Sequence, residues 1–342
     1  MSKLKIAVNG AGRIGRAFMR IAEKRDDMEV VAINDLSDIN NIAYLLKYDT
    51  VYGRSGLDIQ VGTDQKTLVI NGREVRYISE KDPAVLPWKD LNIDVVVEST
   101  GLFTAFDKAR VHVTAGAKKV VISAPAKGDA ILADEGTILM GINCDTLKDK
   151  AVTSNASCTT NAGSPVLQIL SQSIGIEKAI LNTVHGYTAS QSIVDGPNRK
   201  DFKEGRAAAQ NIVPTSTGAA IATTKVITSL AGKFDGLSMR VPVPAGSIVD
   251  ITFIATRDTT VEEVNNILKS AAADPHWKGI FSVTEDPIVS SDILGMPYGS
   301  IADLGLTKVI GGNLVKVLAW YDNEMGYTHV LAEHVAKTGS FL

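Results

Sequence analysis

Two positions in this chain combine residue type and setting for covalent chemistry. Cys158 stands in Ser154-Asn155-Ala156-Ser157-Cys158-Thr159-Thr160-Asn161, a run of small polar residues just ahead of a helical pattern over 158–174. Ser and Asn are favoured helix N-caps, which puts the cysteine in the first helical turn. The positive end of a helix stabilises a thiolate and lowers a cysteine pKa. A thiolate there can attack an aldehyde carbonyl, while backbone N–H groups of the same turn hold the resulting oxyanion. The bland alternative is an inert buried cysteine. A nucleophile needs a base, and the chain has five histidines. His329 and His334 lie in a terminal helical pattern and His276 sits beside Trp277; these suit surface or packing positions. His185 ends a strand-like run and faces a loop, where it can pair with the cysteine as a cation and then move protons. Cys144, between Asn143 and Asp145, has no such setting and is read as structural.

A second constellation opens the chain. Gly10-Ala11-Gly12-Arg13-Ile14-Gly15 matches GxGxxG, between a β-like run ending at Asn9 and a helical pattern over 14–24. Gly10 permits the tight turn, Gly12 lets a pyrophosphate approach the backbone, and Gly15 lets helix pack on strand. The helix start offers N–H groups and a positive dipole end to phosphates. Asp35 follows Gly15 by 20 residues, at the end of the next strand-like run. A carboxylate there accepts from ribose hydroxyls and repels a 2′-phosphate, which favours NAD over NADP. The competing reading is a glycine turn in an unrelated α/β domain, with Asp35 as a helix cap.

The elements that must carry these residues differ between the halves. Through residue 150, short apolar runs at 5–9, 29–34, 94–98, 119–123 and 138–142 alternate with helical patterns. Runs with so little polar alternation fit strands buried on both faces of a parallel sheet. Beyond that point the strand-like runs at 179–184, 236–243, 248–255 and 314–320 are longer and wider apart. Helical patterns over 158–174, 217–230 and 261–273 lie between them, with one more over 326–337. That fits an antiparallel or mixed sheet backed by helices. Residues 195–211 are polar and carry Gly196, Pro197 and Gly205, marking a long loop of the length that is usually functional.

Composition narrows the classes. Lys+Arg total 35 and Asp+Glu 38, a net charge of −3, so neither a nucleic-acid binder nor a membrane-surface binder is expected. No leader is expected, because the apolar run after Lys3 and Lys5 is short and broken by glycine. Two cysteines can form neither a disulfide framework nor a four-cysteine metal site; they suit a reducing compartment, and no metal site is expected. The 29 glycines exceed the roughly 7% average share.

The quoted motifs resemble one family, the phosphorylating glyceraldehyde-3-phosphate dehydrogenases. The likeness runs nearly end to end: 8–16, 33–35, Glu98-Ser99-Thr100-Gly101, 122–125, the cysteine octet, 217–220, 239–242 and Trp320-Tyr321-Asp322-Asn323-Glu324. It implies an α/β fold: a Rossmann NAD-binding domain, 1–157 completed by a C-terminal helix at 324–342, and an α+β catalytic domain, 158–323, with a mostly antiparallel sheet. It implies Cys158 as nucleophile and His185 as activating base. Arg13, Ile14, Asp35, Lys81, Ser123 and Asn323 fall at NAD-contact positions, beside the glycines Gly10, Gly12 and Gly15. Asn323 would hold the nicotinamide carboxamide, and Pro197 matches a residue associated with NAD use. Thr188 and Arg240 would bind the phosphate of glyceraldehyde 3-phosphate. Ser157, Thr217 and Gly218 would bind the attacking inorganic phosphate, and Thr159 is a further substrate contact. A cytoplasmic homotetramer is implied.

The likeness fails in places. The long loop reads Lys203-Glu204-Gly205-Arg206, one residue longer than usual, and Glu204 falls where the family has an arginine that helps bind the attacking phosphate. A carboxylate there would repel phosphate, unless Lys203 swings in as a point charge. Ser190 replaces a usual aspartate, and Met325 a usual tryptophan. This leaves open a related sugar-phosphate aldehyde such as erythrose 4-phosphate, with altered phosphate use. A third reading is a regulatory or RNA-interacting protein that has lost activity; the presence of Cys158, His185, Asn323 and Arg240 speaks against it.

Overall fold

The computed structural model describes residues 3–199 and 201–342. They form two compact units: residues up to Ala156 with Leu331–Leu342, and Ser157–Val330. The C-terminal helix, Met325–Gly339, contributes to both.

The first unit is built on a nine-stranded sheet. Its central strands are Lys119–Ile122, Val95–Glu98, Leu4–Asn9 and Met28–Asn34, in that order and all parallel. Valine and isoleucine dominate them, and Val95–Glu98 and Lys119–Ile122 are buried at every position. This is the signature of strands covered on both faces. The order reverses at Leu4–Asn9, since the chain leaves it toward Met28–Asn34 on one side and returns at Val95–Glu98 on the other. In parallel α/β sheets a ligand crevice opens beyond the strand ends at such a point. The register aligns those ends: Asn9 lies beside Asn34 and Glu98, and Glu98 beside Ile122. An antiparallel ribbon, Ile59–Val61, Thr67–Ile70 and Arg73–Ile78, completes one edge.

One expected strand is absent. Residues 138–142 form a buried turn that follows the short strand Glu135–Thr137. Asn143 Oδ1 accepts from Leu139 N at 2.8 Å, and its Nδ2 donates to Thr137 O at 2.9 Å. Gly141 has φ 78°, which turns the chain. The run is apolar because Ile138, Leu139 and Met140 are core residues.

The second unit holds a seven-stranded mixed sheet. Ile176–Gly186 pairs in parallel with Phe234–Val241, and Phe281–Thr284 with Ser300–Ile310; the other pairings are antiparallel. Ser247–Ala255 alternates buried and half-buried residues along its whole length, so one face of the sheet is covered and the other is not. Val249, Ile251, Phe253, Val315 and Val317 face the core. The helices Cys158–Ser173 and Val261–Ala273 supply covering residues such as Leu167, Leu170 and Leu268. The helical pattern expected from 217 begins later, at Ala219, because Gly218 takes a non-helical N-cap conformation. The long loop is tied to itself: Asp201 caps a 3-10 turn over Phe202–Gly205, and Gly196 N donates to Gly205 O at 2.9 Å. Position 200, inside that loop, lies outside the described residues.

Candidate active site

In the first unit the glycine turn follows directly from sterics. Gly10 has φ +96°, and a Cβ there would sit 2.7 Å from Thr100 N. A Cβ on Gly15 would lie 2.0 Å from Gly10 O, so only glycine lets the helix Arg13–Ala22 start this close to the strand. At Gly12, the N-cap of that helix, an added Cβ would meet nothing within 4 Å. The space beside Gly12 is therefore open for a pyrophosphate to reach the first helical N–H groups. Asp35 braces the turn: its Oδ2 accepts from Ala11 N at 2.7 Å and its Oδ1 from Ser37 N at 2.9 Å.

A cavity of about 320 Å³ lies over the strand ends, lined by Gly10, Gly12, Asp35, Lys81, Ser99 and Leu102 among others. Leu36 and Leu102 line it while remaining largely exposed, apolar surface that a flat ring would cover. The open glycine turn, carboxylate acceptor and apolar lips fit a dinucleotide. Of the residues expected to contact it, Gly10, Gly12, Asp35 and Lys81 line the cavity; Gly15 lies beneath the turn. Arg13, Ile14 and Ser123 do not line it. Arg13 pairs with Asp49 and stacks over Tyr52 at 5.7 Å, and Ser123 N donates to Glu98 O at 2.9 Å.

In the second unit Cys158 is the first residue of its helix, with Ser157 as N-cap accepting from Thr160 N at 3.1 Å. Cys158 Sγ lies 3.4 Å from His185 Nε2. His185 reaches this place because it is the next-to-last residue of the strand Ile176–Gly186, whose parallel register with Phe234–Val241 sets Arg240 beside it. Thr159 Oγ1 bonds Tyr321 Oη at 2.9 Å, and Tyr321 Oη bonds Thr183 Oγ1 at 2.7 Å. Asn323 Oδ1 accepts from Gly246 N at 3.1 Å and Ser247 Oγ at 3.0 Å. Its amide nitrogen is the donor end. Thr217 Oγ1 accepts from Ala219 N at 3.2 Å, beside Gly218 at the start of Ala219–Val226. Thr188 Oγ1 contacts Ser190 Oγ at 3.1 Å. Glu204 is half-buried within the 3-10 turn, its backbone O accepting from Ser192 N at 3.0 Å.

The electrostatics differ from the sequence expectation of a lowered thiol pKa and a charged imidazole. Cys158 keeps some surface exposure, yet burial pushes its thiol up; Arg240 and the Thr159 hydrogen bonds offset this only in part. Burial, helped by the Arg240 charge, pushes His185 down to about 3, against the Gly186 hydrogen bond. Burial thus favours the neutral thiol and the neutral imidazole. Arg240 Nη1 approaches His185 Nδ1 at 2.6 Å, and so does Gly186 O. Arginine can only donate, so while it sits there Nδ1 must accept and Nε2 carries the hydrogen toward Cys158. Among the described residues Arg240 Nε is itself buried without a partner.

Two features escaped sequence reasoning. Tyr321 lies in a quoted motif, but its link to Thr159 and Thr183 depends on the pairing of distant strands. The polar set around Glu98 and His112, below, leaves no local signature. Among the described residues no helix is long and apolar enough to cross a membrane, and no cluster of three potential metal ligands occurs.

A dinucleotide crevice in one unit and a cysteine–histidine pair in the other mark the class, a dinucleotide-dependent oxidoreductase. Family models agree: residues 4–106 match the NAD-binding domain of glyceraldehyde 3-phosphate dehydrogenase, and 157–323 its C-terminal domain. The chain is 48% identical to the glyceraldehyde-3-phosphate dehydrogenase of Geobacillus stearothermophilus over 341 residues, 98% of this chain and 99% of the relative. It is 47% identical to that of Streptomyces coelicolor (99% of each chain) and 49% to that of Clostridium acetobutylicum (97% of each). The chain belongs to the glyceraldehyde-3-phosphate dehydrogenase family and is an NAD-dependent oxidoreductase, as its motifs imply.

Proposed function

We propose that this chain oxidises glyceraldehyde 3-phosphate with NAD and inorganic phosphate to 1,3-bisphosphoglycerate, through a thioester on Cys158. The carrying observation is the 3.4 Å approach of Cys158 Sγ to His185 Nε2 at a helix N-terminus, with Arg240 beside the imidazole. Substrate binding starts the sequence. The aldehyde's phosphate is held by Arg240 and Thr188, and it draws the guanidinium off His185 Nδ1. Nδ1 then carries the hydrogen and donates to Gly186 O, which frees Nε2 to accept the thiol proton. Sγ adds to the carbonyl carbon, backbone N–H groups of the first helical turn hold the oxyanion, and the imidazolium returns the proton to give a hemithioacetal. His185 next removes the hydroxyl proton as hydride leaves the carbon, giving the thioester. NAD, when bound, supplies the hydride acceptor. Asp35 and the turn of Gly10, Gly12 and Gly15 hold its ribose and pyrophosphate, with Lys81, Arg13, Ile14 and Ser123 around it, and Asn323 fixes its carboxamide.

Inorganic phosphate, held by Ser157, Thr217 and Gly218 with Thr159 nearby, attacks the thioester. The acyl phosphate leaves, and the thiolate recovers its proton from His185. The 45–49% identity to relatives that all carry the glyceraldehyde-3-phosphate dehydrogenase name favours this over the erythrose 4-phosphate reading. The working form in this proposal is a homotetramer in the cytoplasm. Ile180, Leu237 and Ile310 lie exposed on the uncovered face of the sheet, and Phe202 is 88% exposed in the long loop, apolar surface that a second copy would bury. Both cysteines are free, as in a reducing compartment. Initial rates of NADH formation on glyceraldehyde 3-phosphate and erythrose 4-phosphate, with phosphate varied, test the assignment. A higher kcat/KM for the triose phosphate with saturable phosphate dependence is expected; the opposite rank overturns it.

A further inference from the structure

Behind the dinucleotide crevice lies a buried polar relay that the reaction above does not use. Glu98 closes the strand Val95–Glu98 at 1% exposure, and His112 is fully buried. A carboxylate this deep is tolerable only where donors surround it. Thr100 donates to Oε1 through its N–H at 2.8 Å and through its hydroxyl. Asn9 Nδ2 at 2.6 Å and His112 Nε2 at 3.0 Å converge on Oε2. The Trp88 indole N–H, which can only donate, reaches His112 Nδ1 at 3.0 Å. Nδ1 is therefore the bare nitrogen, and Nε2 carries the hydrogen aimed at Glu98.

The donors around Glu98 belong to opposite walls of the crevice. Asn9 closes the strand that leads into the glycine turn, and its Oδ1 accepts from Asn34 Nδ2 at 2.7 Å. Thr100 stands in the facing wall, against which Gly10 is pressed so closely that a Cβ would come 2.7 Å from Thr100 N. One carboxylate thus fastens the two walls, and the imidazole, oriented by the indole, completes its shell.

We propose that Trp88, His112 and Glu98 are positioning residues for the cofactor. They hold the glycine turn and the Ser99–Thr100 turn at the spacing the dinucleotide needs, so His112 sets NAD affinity without touching NAD. This rests on the reading of the crevice as the dinucleotide site.

The test measures NAD Kd by calorimetry on the full-length protein, with wild type, His112→Ala and Ile70→Ala. Ile70 is buried in the antiparallel ribbon away from the crevice, and its truncation serves as a control for lost stability. His112→Ala is expected to raise the NAD Kd tenfold or more. Its kcat at saturating NAD should stay within twofold of wild type, and its rate of Cys158 alkylation without NAD should not change. Ile70→Ala should lower Tm and leave Kd in place. Equal Kd values for His112→Ala and wild type overturn the proposal, as does a rise in Kd for Ile70→Ala that matches that of His112→Ala. Absence of NAD binding by wild type would instead remove the reading of the crevice. The 15N spectrum of wild-type protein covers the case in which His112→Ala does not fold. It should show His112 hydrogenated at Nε2, and an Nδ1–H tautomer overturns the relay.

Discussion

The dinucleotide crevice and the thiol site are both built at strand ends beside a helix N-terminus, yet their polar groups are in opposite conditions. In the crevice these donors each meet an acceptor without conflict: Ala11 N on Asp35, Asn9 and His112 on Glu98, Trp88 on His112. In the thiol site the demands collide. His185 Nδ1 faces a donor from Arg240 and an acceptor from Gly186 at the same 2.6 Å, and Arg240 Nε has no partner among the described residues. A site that holds its ligand by shape can be complete beforehand. A site that must move protons is left with one unresolved choice, which, in the proposed mechanism, the substrate's phosphate would make by claiming Arg240.

The contrast can be broken by substitution. Cys158→Ser should show the largest effect, with NADH formation falling by more than about 10³-fold because an alkoxide-forming hydroxyl replaces the thiol. NAD affinity should not change, and full activity in this variant would end the covalent proposal. His185→Asn should come next, with kcat falling by about 10²–10⁴-fold, the usual range for a lost acid–base group, and again with NAD Kd unchanged. Arg240→Gln should raise KM for the aldehyde by about tenfold or more, the scale of a charge-assisted hydrogen bond. It should also make Cys158 alkylation by iodoacetamide indifferent to inorganic phosphate, whereas phosphate should speed alkylation of wild type. A phosphate-indifferent wild type would show that Arg240 does not set the His185 tautomer.

A smaller effect reaches both units through buried neutral histidines. Burial pushes His334 down to about 3, and burial with Arg240 does the same to His185. An unfolded histidine titrates near pH 6.5, so between these values the unfolded chain binds more protons than the folded one. Stability from these groups is complete above about pH 6.5 and is lost as pH falls toward 3, by ~2 kcal/mol per histidine on reaching pH 5. Urea unfolding at pH 7 and pH 5 measures it. His334→Gln should flatten the dependence, and an unchanged slope would mean that His334 does not carry it.

The sequence made much of this architecture legible because the decisive constraints were local. Gly10, Gly12 and Gly15 are required by contacts within one turn, and Ser157-Cys158 marks a helix start through capping chemistry. The parallel core strands show themselves as unbroken valine and isoleucine runs. Residues 138–142 misled because a buried turn and a buried strand share one composition; Asn143, which folds the turn, follows the run. The protonation pattern at Cys158 was also hidden. It depends on burial first and then on Arg240, which lies far along the chain and meets His185 only through strand pairing. Tyr321 and the Glu98–His112 relay are non-local in the same sense.

The central claim is a thioester on Cys158 that phosphate must release. Mixing enzyme, NAD and glyceraldehyde 3-phosphate without phosphate should give a rapid burst of one NADH per Cys158, then a near-complete stop until inorganic phosphate is added. Steady turnover without phosphate, or no burst at all, would contradict the account.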